Sequence, residues 1–392
     1  MKKIVKLFGV FAFVVFVGLS LVTCQDTAGD SHDTMTAMEF AAGIRVGWNL
    51  GNAFDCLTNF AGYQSGTVSQ LEQLWNNPVT TEANIQALKD AGFNLIRIPV
   101  TWTKVADPDN NYTIRTDWMQ RVTQVVDWAI DRDMYVILNA HHDGNPSHSV
   151  LFTFDNSNVD QSLVRFARIW EQIAENFKYY GDKLIFEPLN EPIIYNTGGT
   201  SLNWTGTAEA YNIVNSHYKV FVETVRATGE NNATRFFLFN TYAANSGLGA
   251  MNGLKLPDDP ARDRHIVSYH AYVPGGFAME GATDTWTNTG SQATAITYPM
   301  NNFYYEFVTS GVPVIIGEMG ATDKANEAAR AEWVEFYTKE AWNRKMRVVW
   351  WDNNSVYTGS GSNGEKFRLL NRGTNTIVYP LIMQGLLNGS RD

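Results

Sequence analysis

Two glutamates close apolar runs in this chain. The first run is Leu184-Ile185-Phe186-Glu187-Pro188-Leu189-Asn190-Glu191, and the second is Val312-Pro313-Val314-Ile315-Ile316-Gly317-Glu318. Runs that are apolar on both faces read as buried parallel strands. A carboxylate at the C-terminal end of such a strand sits where the catalytic groups of β/α-barrels sit. Two of them suggest the paired-acid chemistry that cleaves glycosidic bonds. Either one alone reads as an ordinary strand-end acid capping a loop, so the elements around them carry the decision.

Eight strand candidates run through the chain: Ile44–Leu50, Asn94–Val100, Met134–Ala140, Leu184–Asn190, Arg235–Asn240, His265–His270, Pro313–Glu318 and Met346–Trp351. Amphipathic helices lie between several of them. Glu82–Ala91 follows Thr80-Thr81, turns Ile85 and Leu88 to one side and stops at Gly92. Leu163, Phe166, Trp170, Ile173 and Phe177 repeat at helical spacing, as do Trp333, Phe336 and Tyr337, and both stripes read as packing faces. Eight alternating units predict a single (β/α)8 barrel of TIM type over residues 38–388. The unit after the fifth strand is the weakest, because Thr241–Arg264 is rich in Gly, Pro and Asp and shows no long helix. Pro188 cannot donate a ladder hydrogen bond, so a bulge is expected in the fourth strand.

The predicted strand ends gather a polar set: Asn49 and Asn52, Arg97 and Trp102, His141 and His142, Asn190 and Glu191, His270 and Tyr272, Glu318, then Trp350, Trp351 and Asp352. One barrel mouth would hold two acids, a cation, ring donors and aromatic platforms. Metal chemistry fits poorly: neighbours on a strand point to opposite sides, so His141 and His142 would not share an ion, and no metal-ligand motif is present. No G-x-S-x-G elbow or phosphate-cradling glycine loop occurs either. No metal and no cofactor are expected.

Four segments carry a resemblance. Gly47-Trp48-Asn49-Leu50-Gly51-Asn52, Phe186-Glu187-Pro188-Leu189-Asn190-Glu191-Pro192, His270-Ala271-Tyr272 and Ile316-Gly317-Glu318-Met319-Gly320 resemble glycoside hydrolase family 5, and most of all its subfamily 4 endoglucanases. Arg97 and the His pair fall at matching strand ends. The resemblance implies a retaining endo-β-1,4-glucanase with Glu191 as acid/base and Glu318 as nucleophile. It further implies that Asn190 bonds the sugar 2-hydroxyl, that Arg97 and Tyr272 orient Glu318, and that His141 and His270 support both acids. Trp351, rather than Trp350, would be the sugar floor, with Asn52, His142, Trp48 and Trp102 as further substrate-binding candidates and Trp204 as another platform. Glu187 points away from Glu191 in register and reads as structural. For retention the two carboxyls should lie ~5–5.5 Å apart, against ~6.5 Å or more for inversion.

Family members act on cellulose, mixed-linkage β-glucan, xyloglucan and sometimes xylan, and the sequence does not choose among them. Pro274–Pro299, with Trp286 inside it, is expected to overhang the cleft and shape that choice. A β-mannanase or xylanase on the same scaffold is the runner-up. A non-catalytic surface glycan-binding lipoprotein is the rival of another class, and it would be expected to lack one of the acids or its supports.

The 392 residues carry a formal charge of −10. A nucleic-acid partner needs a basic face, so this balance argues against one and suits an uncharged polymer. Lys2, Lys3 and Lys6 precede an apolar stretch from Leu7 to Val22, the pattern of an export signal over residues 1–23. Removing those three lysines takes the charge of the remaining chain from −10 to −13. Leu21-Val22-Thr23-Cys24 resembles a lipoprotein processing site, which would acylate Cys24, anchor the chain to a membrane and leave residues 24–37 as a flexible tether. An extracellular or cell-envelope location follows, with a monomer as the default. Cys56 is then left without a disulfide partner.

Overall fold

The computed structural model describes residues 35–57, 63–147, 151–279, 281, 283–356 and 365–391. The export signal, Cys24 and most of the tether lie outside them. From Thr36 onward the chain forms one compact unit. Eight parallel strands close into a barrel: β1 (Gly47–Leu50), β2 (Leu95–Ile98), β3 (Tyr135–Asn139), β4 (Leu184–Glu187), β5 (Phe237–Asn245), β6 (His265–His270), β7 (Val314–Met319) and β8 (Arg347–Asp352), with β8 pairing back onto β1. The helices alternate with them: α1 (Ala37–Ala42) before β1, α2 (Glu82–Ala91), α3 (Thr116–Ile130), α4 (Val159–Phe177), α5 (Ala208–Ala227), α6 (Leu248–Gly253), α7 (Gly290–Glu306), α8 (Glu327–Asn343), and α9 (Pro380–Gly389) after β8. No helix of the described residues is long and apolar enough to cross a membrane.

Local signals account for these elements. α2 spans the predicted residues; Thr81 and Asn84 exchange capping hydrogen bonds at its start, and Gly92 ends it with φ 104°. Phe166, Trp170, Ile173 and Phe177 on α4 are buried, as the stripe requires. The unit after β5 contains only the six-residue α6. Pro188 does not bulge β4, as the sequence suggested, but ends it at Glu187. A proline carries no N–H to extend the ladder, so the chain leaves the sheet there. The Trp170 indole then donates to the Pro188 carbonyl at 3.2 Å, and Asn190 N–H donates to Ala140 O at 3.0 Å. Irregularities sit elsewhere: in β5 the register with β6 shifts between Asn240 and Asn245, where Ala243 and Ala244 take φ of 52° and 46°, and β7 shifts against both neighbours after Ile316, beside Glu318.

Strand alternation splits the apolar residues into two cores. One lies between strands and helices and includes Trp48, Ile96, Ile98, Trp170 and Trp350. The other fills the barrel: Leu95, Ile137, Ile185, Leu238, Ile266, Ile315 and Val349. Its lower end is closed by α1, whose Phe40 stacks on Phe236 with ring centroids 4.0 Å apart. Above the apolar filling, the same inward positions turn polar, with Asn49, Arg97, Asn139, Glu187, Asn240 and Ser268 all buried. This polar layer is the floor of the mouth.

Candidate active site

A cleft of about 460 Å³ opens at the C-terminal ends of the strands. It is lined by His141, His142, Asn190, Glu191, His270, Tyr272, Glu318 and Trp351, and also by Trp204, Met279 and Glu365. Eight residues expected at strand ends are thus brought together. Arg97 is also central, although it lies fully buried below them.

The register explains which tryptophan reaches the cleft. Asn49 pairs with Arg97 on one side and Trp351 on the other, whereas Trp48 pairs with Trp350. Arg97 and Asn49 point into the barrel, so Trp351 does too, and Trp48 and Trp350 point into the helix layer. Trp48 donates its indole N–H to Asp352 Oδ2 at 2.9 Å, Trp350 donates to Phe367 O at 3.0 Å, and Trp102 donates to Asn139 O at 2.9 Å. Trp48 and Trp102 are wholly buried, so neither can be the sugar platform that was expected of it. Asn52 is also displaced from that list. With φ 58° it forms a tight turn, its N–H donating to Asp55 Oδ2 and its carbonyl accepting from Asn77, and it is not among the cleft-lining residues. Trp351 stays at the mouth, its ring nearly parallel to His141 at an interplanar angle of 3°. Gly51 is required there: a Cβ would lie 2.7 Å from the Trp351 ring.

Arg97 organises the floor. Nε and Nη2 bind Glu187 at 2.7 and 2.6 Å, Nη1 binds Glu318 at 2.8 Å and Asn49 at 2.9 Å, and Nη2 also reaches Asn190 Oδ1 at 2.6 Å. Both anions hold the guanidinium charged, their attraction opposing the burial that pulls its pKa the other way. The bond to Oδ1 orients the Asn190 amide, which lines the cleft beside Glu191. Glu187 was read as structural from its register. It lies buried on the floor of the mouth, where it takes the bidentate share of Arg97, accepts from Asn240 at 2.8 Å and adds its charge to the surroundings of Glu191. The signal available in sequence was its inward phase, two residues after Ile185.

The two mouth acids have different surroundings. Glu318 is almost fully buried and accepts from Arg97 and, at 2.8 Å, from the Tyr272 hydroxyl. Burial raises its proton affinity, opposed by His270, Arg97 and Tyr272. Glu191 keeps 23% of its side chain exposed and has His270 Nδ1 at 2.8 Å. Burial pushes its pKa up to about 7; Arg97 opposes this and the Glu187 charge adds to it. Burial takes the His270 imidazole down to about 4, so the ring is neutral near pH 7. Oxygens of Glu191 and Glu318 and a ring nitrogen of His270 lie within 4.8 Å of one another.

His141 and His142 do not diverge as strand neighbours would. β3 ends at Asn139, the chain turns, and their rings lie 4.4 Å apart with Asp55 close by. The three could geometrically surround an ion. The Asn139 amide, however, has Oδ1 accepting from Val100 N–H, which points its Nδ2 at His141 Nδ1, 3.2 Å away. A donor at Nδ1 leaves the ring proton on Nε2, an arrangement suited to donating to a sugar hydroxyl rather than to ligating a metal. Cys56 is buried, with its thiol pushed up to about 11 by burial, which makes it a packing group. In the segment expected to overhang the cleft, Met279 lines it, but Trp286 is buried against Phe336 and α7 begins at Gly290.

Comparison with known proteins agrees with this geometry. The sequence model of the cellulase family, glycosyl hydrolase family 5, matches residues 52–356. Endoglucanase A of Clostridium longisporum is 39% identical over 387 residues, covering 97% of this chain and 71% of that protein. A broad-specificity endoglucanase of subfamily 4 from Ruminococcus champanellensis, solved with bound cellotriose, superposes with a TM-score of 0.81 at 38% identity, covering 90% of this chain and 98% of that one. A family 5 lichenase from Caldicellulosiruptor sp. F32, solved as a mutant in complex with cellotetraose, gives 0.82 at 36% identity over 91% and 95% of the two chains. With its barrel closed, its two acids facing each other at the mouth and its relatives alike in sequence and structure, the chain belongs to glycosyl hydrolase family 5, the cellulase family.

Proposed function

We propose that this protein is an endo-β-1,4-glucanase that cuts internal bonds of cellulose-type polysaccharides with retention of anomeric configuration. The observation that carries this reading is the spacing of the acids: oxygens of Glu191 and Glu318 lie within 4.8 Å of each other. That supports the ~5–5.5 Å carboxyl separation of retaining enzymes over the ~6.5 Å or more of inverting ones. Glu318 is the nucleophile, because Arg97 and Tyr272 stabilise its anion and aim it. Glu191 is the acid/base, because it holds its proton to about pH 7 and its hydrogen-bond partner among the described residues is the neutral His270.

In the first step the Glu318 carboxylate attacks the anomeric carbon while protonated Glu191 gives its proton to the departing glycosidic oxygen. A glycosyl ester on Glu318 results. In the second, ionised Glu191 takes a proton from water, the oxygen attacks the same carbon, and the ester bond breaks to free Glu318. Asn190, His141 and His142 stand where they can hydrogen-bond the sugar in front of the acids, and Trp351 offers the platform beneath it.

Cellulose and mixed-linkage β-glucan are the favoured substrates; a broad-specificity endoglucanase and a lichenase among the structural neighbours support that range. The presence of both acids with all their supports argues against a binding-only protein. Replacing Glu318 or Glu191 by Gln should lower turnover by at least ~10²–10⁴-fold with the fold intact. Reducing ends released from cellulose, mixed-linkage glucan, xyloglucan, xylan and mannan provide the assay. Near-normal activity in either variant would overturn its assignment, and preference for mannan or xylan would favour the runner-up enzyme. Export is proposed from Lys2, Lys3, Lys6 and the apolar Leu7–Val22, and a lipid anchor from Cys24. The mass of the mature N-terminus tests both.

A further inference from the structure

The outward face of α7 has no role in the chemistry above, and its composition sets it apart. From Thr285 to Tyr305 the sequence contains no Asp, Glu, Lys or Arg, in a chain of net charge −10. Each of the other described helices of fifteen or more residues, α3, α4, α5 and α8, carries at least three charged residues. Ile296, Pro299, Met300 and Phe303 of α7 are buried against the barrel. The opposite side presents Ser291, Thr294, Tyr298 and Tyr305 to solvent.

Tyr298 and Tyr305 are 55% and 71% exposed. Seven residues apart, they lie on one line along the helix, separated by about 10.5 Å of rise. Between them, one turn from each, come Asn301 and Asn302. Asn301 accepts from Arg344 Nε at 2.8 Å, and Asn302 Nδ2 is turned inward and buried, so the exposed tyrosine rings are the contact groups of this face. A single exposed tyrosine is commonplace, but two in register on a helix with no charged residue of its own before Glu306 are a different matter. Sugar rings offer apolar C–H faces that stack on aromatic rings and hydroxyls that pair with amides and hydroxyls, whereas charged side chains would be desolvated for no return. An extended β-1,4-glucan is a two-fold ribbon in which every second ring presents the same face, at close to the spacing of the two tyrosines.

We propose that this face of α7 is a second glucan-binding surface, outside the cleft, for an extended unbranched β-1,4-glucan chain. α7 starts at the mouth end of the barrel, after β6, and runs down its flank. The enzyme would therefore rest on insoluble substrate through this flank while the cleft engages a chain. The ligand class rests on the glucanase reading.

The test is depletion binding to insoluble cellulose, with cellotriose in excess to fill the cleft. Tyr298→Ala/Tyr305→Ala should weaken the partition about tenfold, the loss of about 1.4 kcal/mol. Its kcat/KM on a soluble cello-oligosaccharide should stay at the wild-type value, and Tyr298→Phe/Tyr305→Phe should restore the partition. Tyr179→Ala, which removes another exposed aromatic, should change nothing. A wild-type partition for the double alanine variant, or an equal loss for Tyr179→Ala, overturns the proposal. If the unaltered protein releases no reducing ends from any soluble glucan yet these binding differences appear, the catalytic reading fails and the surface stands. Normal soluble activity with an unchanged partition sinks the surface alone.

Discussion

Arg97 is shared by two acids, and Glu187 takes the larger part of it. That division has an electrostatic consequence at Glu191, because the Glu187 charge favours the proton there while Arg97 disfavours it. Glu187→Gln removes the first influence and strengthens the second. The expected outcome is an alkaline limb of the kcat/KM profile displaced to lower pH, since Glu191 must be protonated to donate and would lose its proton earlier. A limb that stays where the wild-type one is would show that Glu187 acts on packing alone. The same raised pKa has a stability side. Glu191 sits at about 7 in the folded protein against an ordinary 4.5. Its contribution to stability is therefore fully present below about pH 4.5 and is lost as the pH rises through about 7. Glu191→Gln should accordingly melt higher than the wild-type protein at pH 8 and show no such gain at pH 4. Equal gains at both pH values would point to a packing effect instead.

At the scale of elements, close approach of backbone and ring fixes the sugar platform. Gly51→Ala would place a methyl group 2.7 Å from Trp351, so one of the two must move. The expected result is a higher KM with kcat nearly unchanged and a stability loss of ~1–3 kcal/mol from overpacking, read by kinetics and thermal melting. An unchanged KM would mean that Trp351 carries little of the binding. The helices and strands themselves were largely legible in sequence: capping residues, a terminal glycine and uninterrupted apolar runs placed α2, β6 and the two glutamates. Side-chain direction was not. Trp48 and Trp350 look no different in sequence from Trp351, and only the register of β1 with β8 separates wall from floor. The His pair was misjudged for a related reason, because alternation lapses where a strand ends. The bulge was expected at Pro188, where a missing donor could be seen; the register shifts lie instead in β5, where Ala243 and Ala244 give no sign of left-handed backbone, and in β7 just before Glu318.

At the scale of the whole molecule, the barrel depends on a plug that precedes its first strand. Phe40 on α1 is 2% exposed and stacks against Phe236. Phe40→Ala should open a cavity at the closed end and cost ~3–5 kcal/mol, visible as a lower Tm, while kcat on soluble glucan at 25 °C stays unchanged. A large fall in kcat would mean that the two ends of the barrel are mechanically coupled.

The plug also gathers the first and last described helices at one face of the barrel. α1 closes that face, and α9 returns to it, where Arg45 Nε, just before β1, donates to Ser390 Oγ at 3.1 Å. A support coupled through a cysteine placed just after Ser390 would therefore hold the protein by the side opposite the mouth and leave the cleft clear.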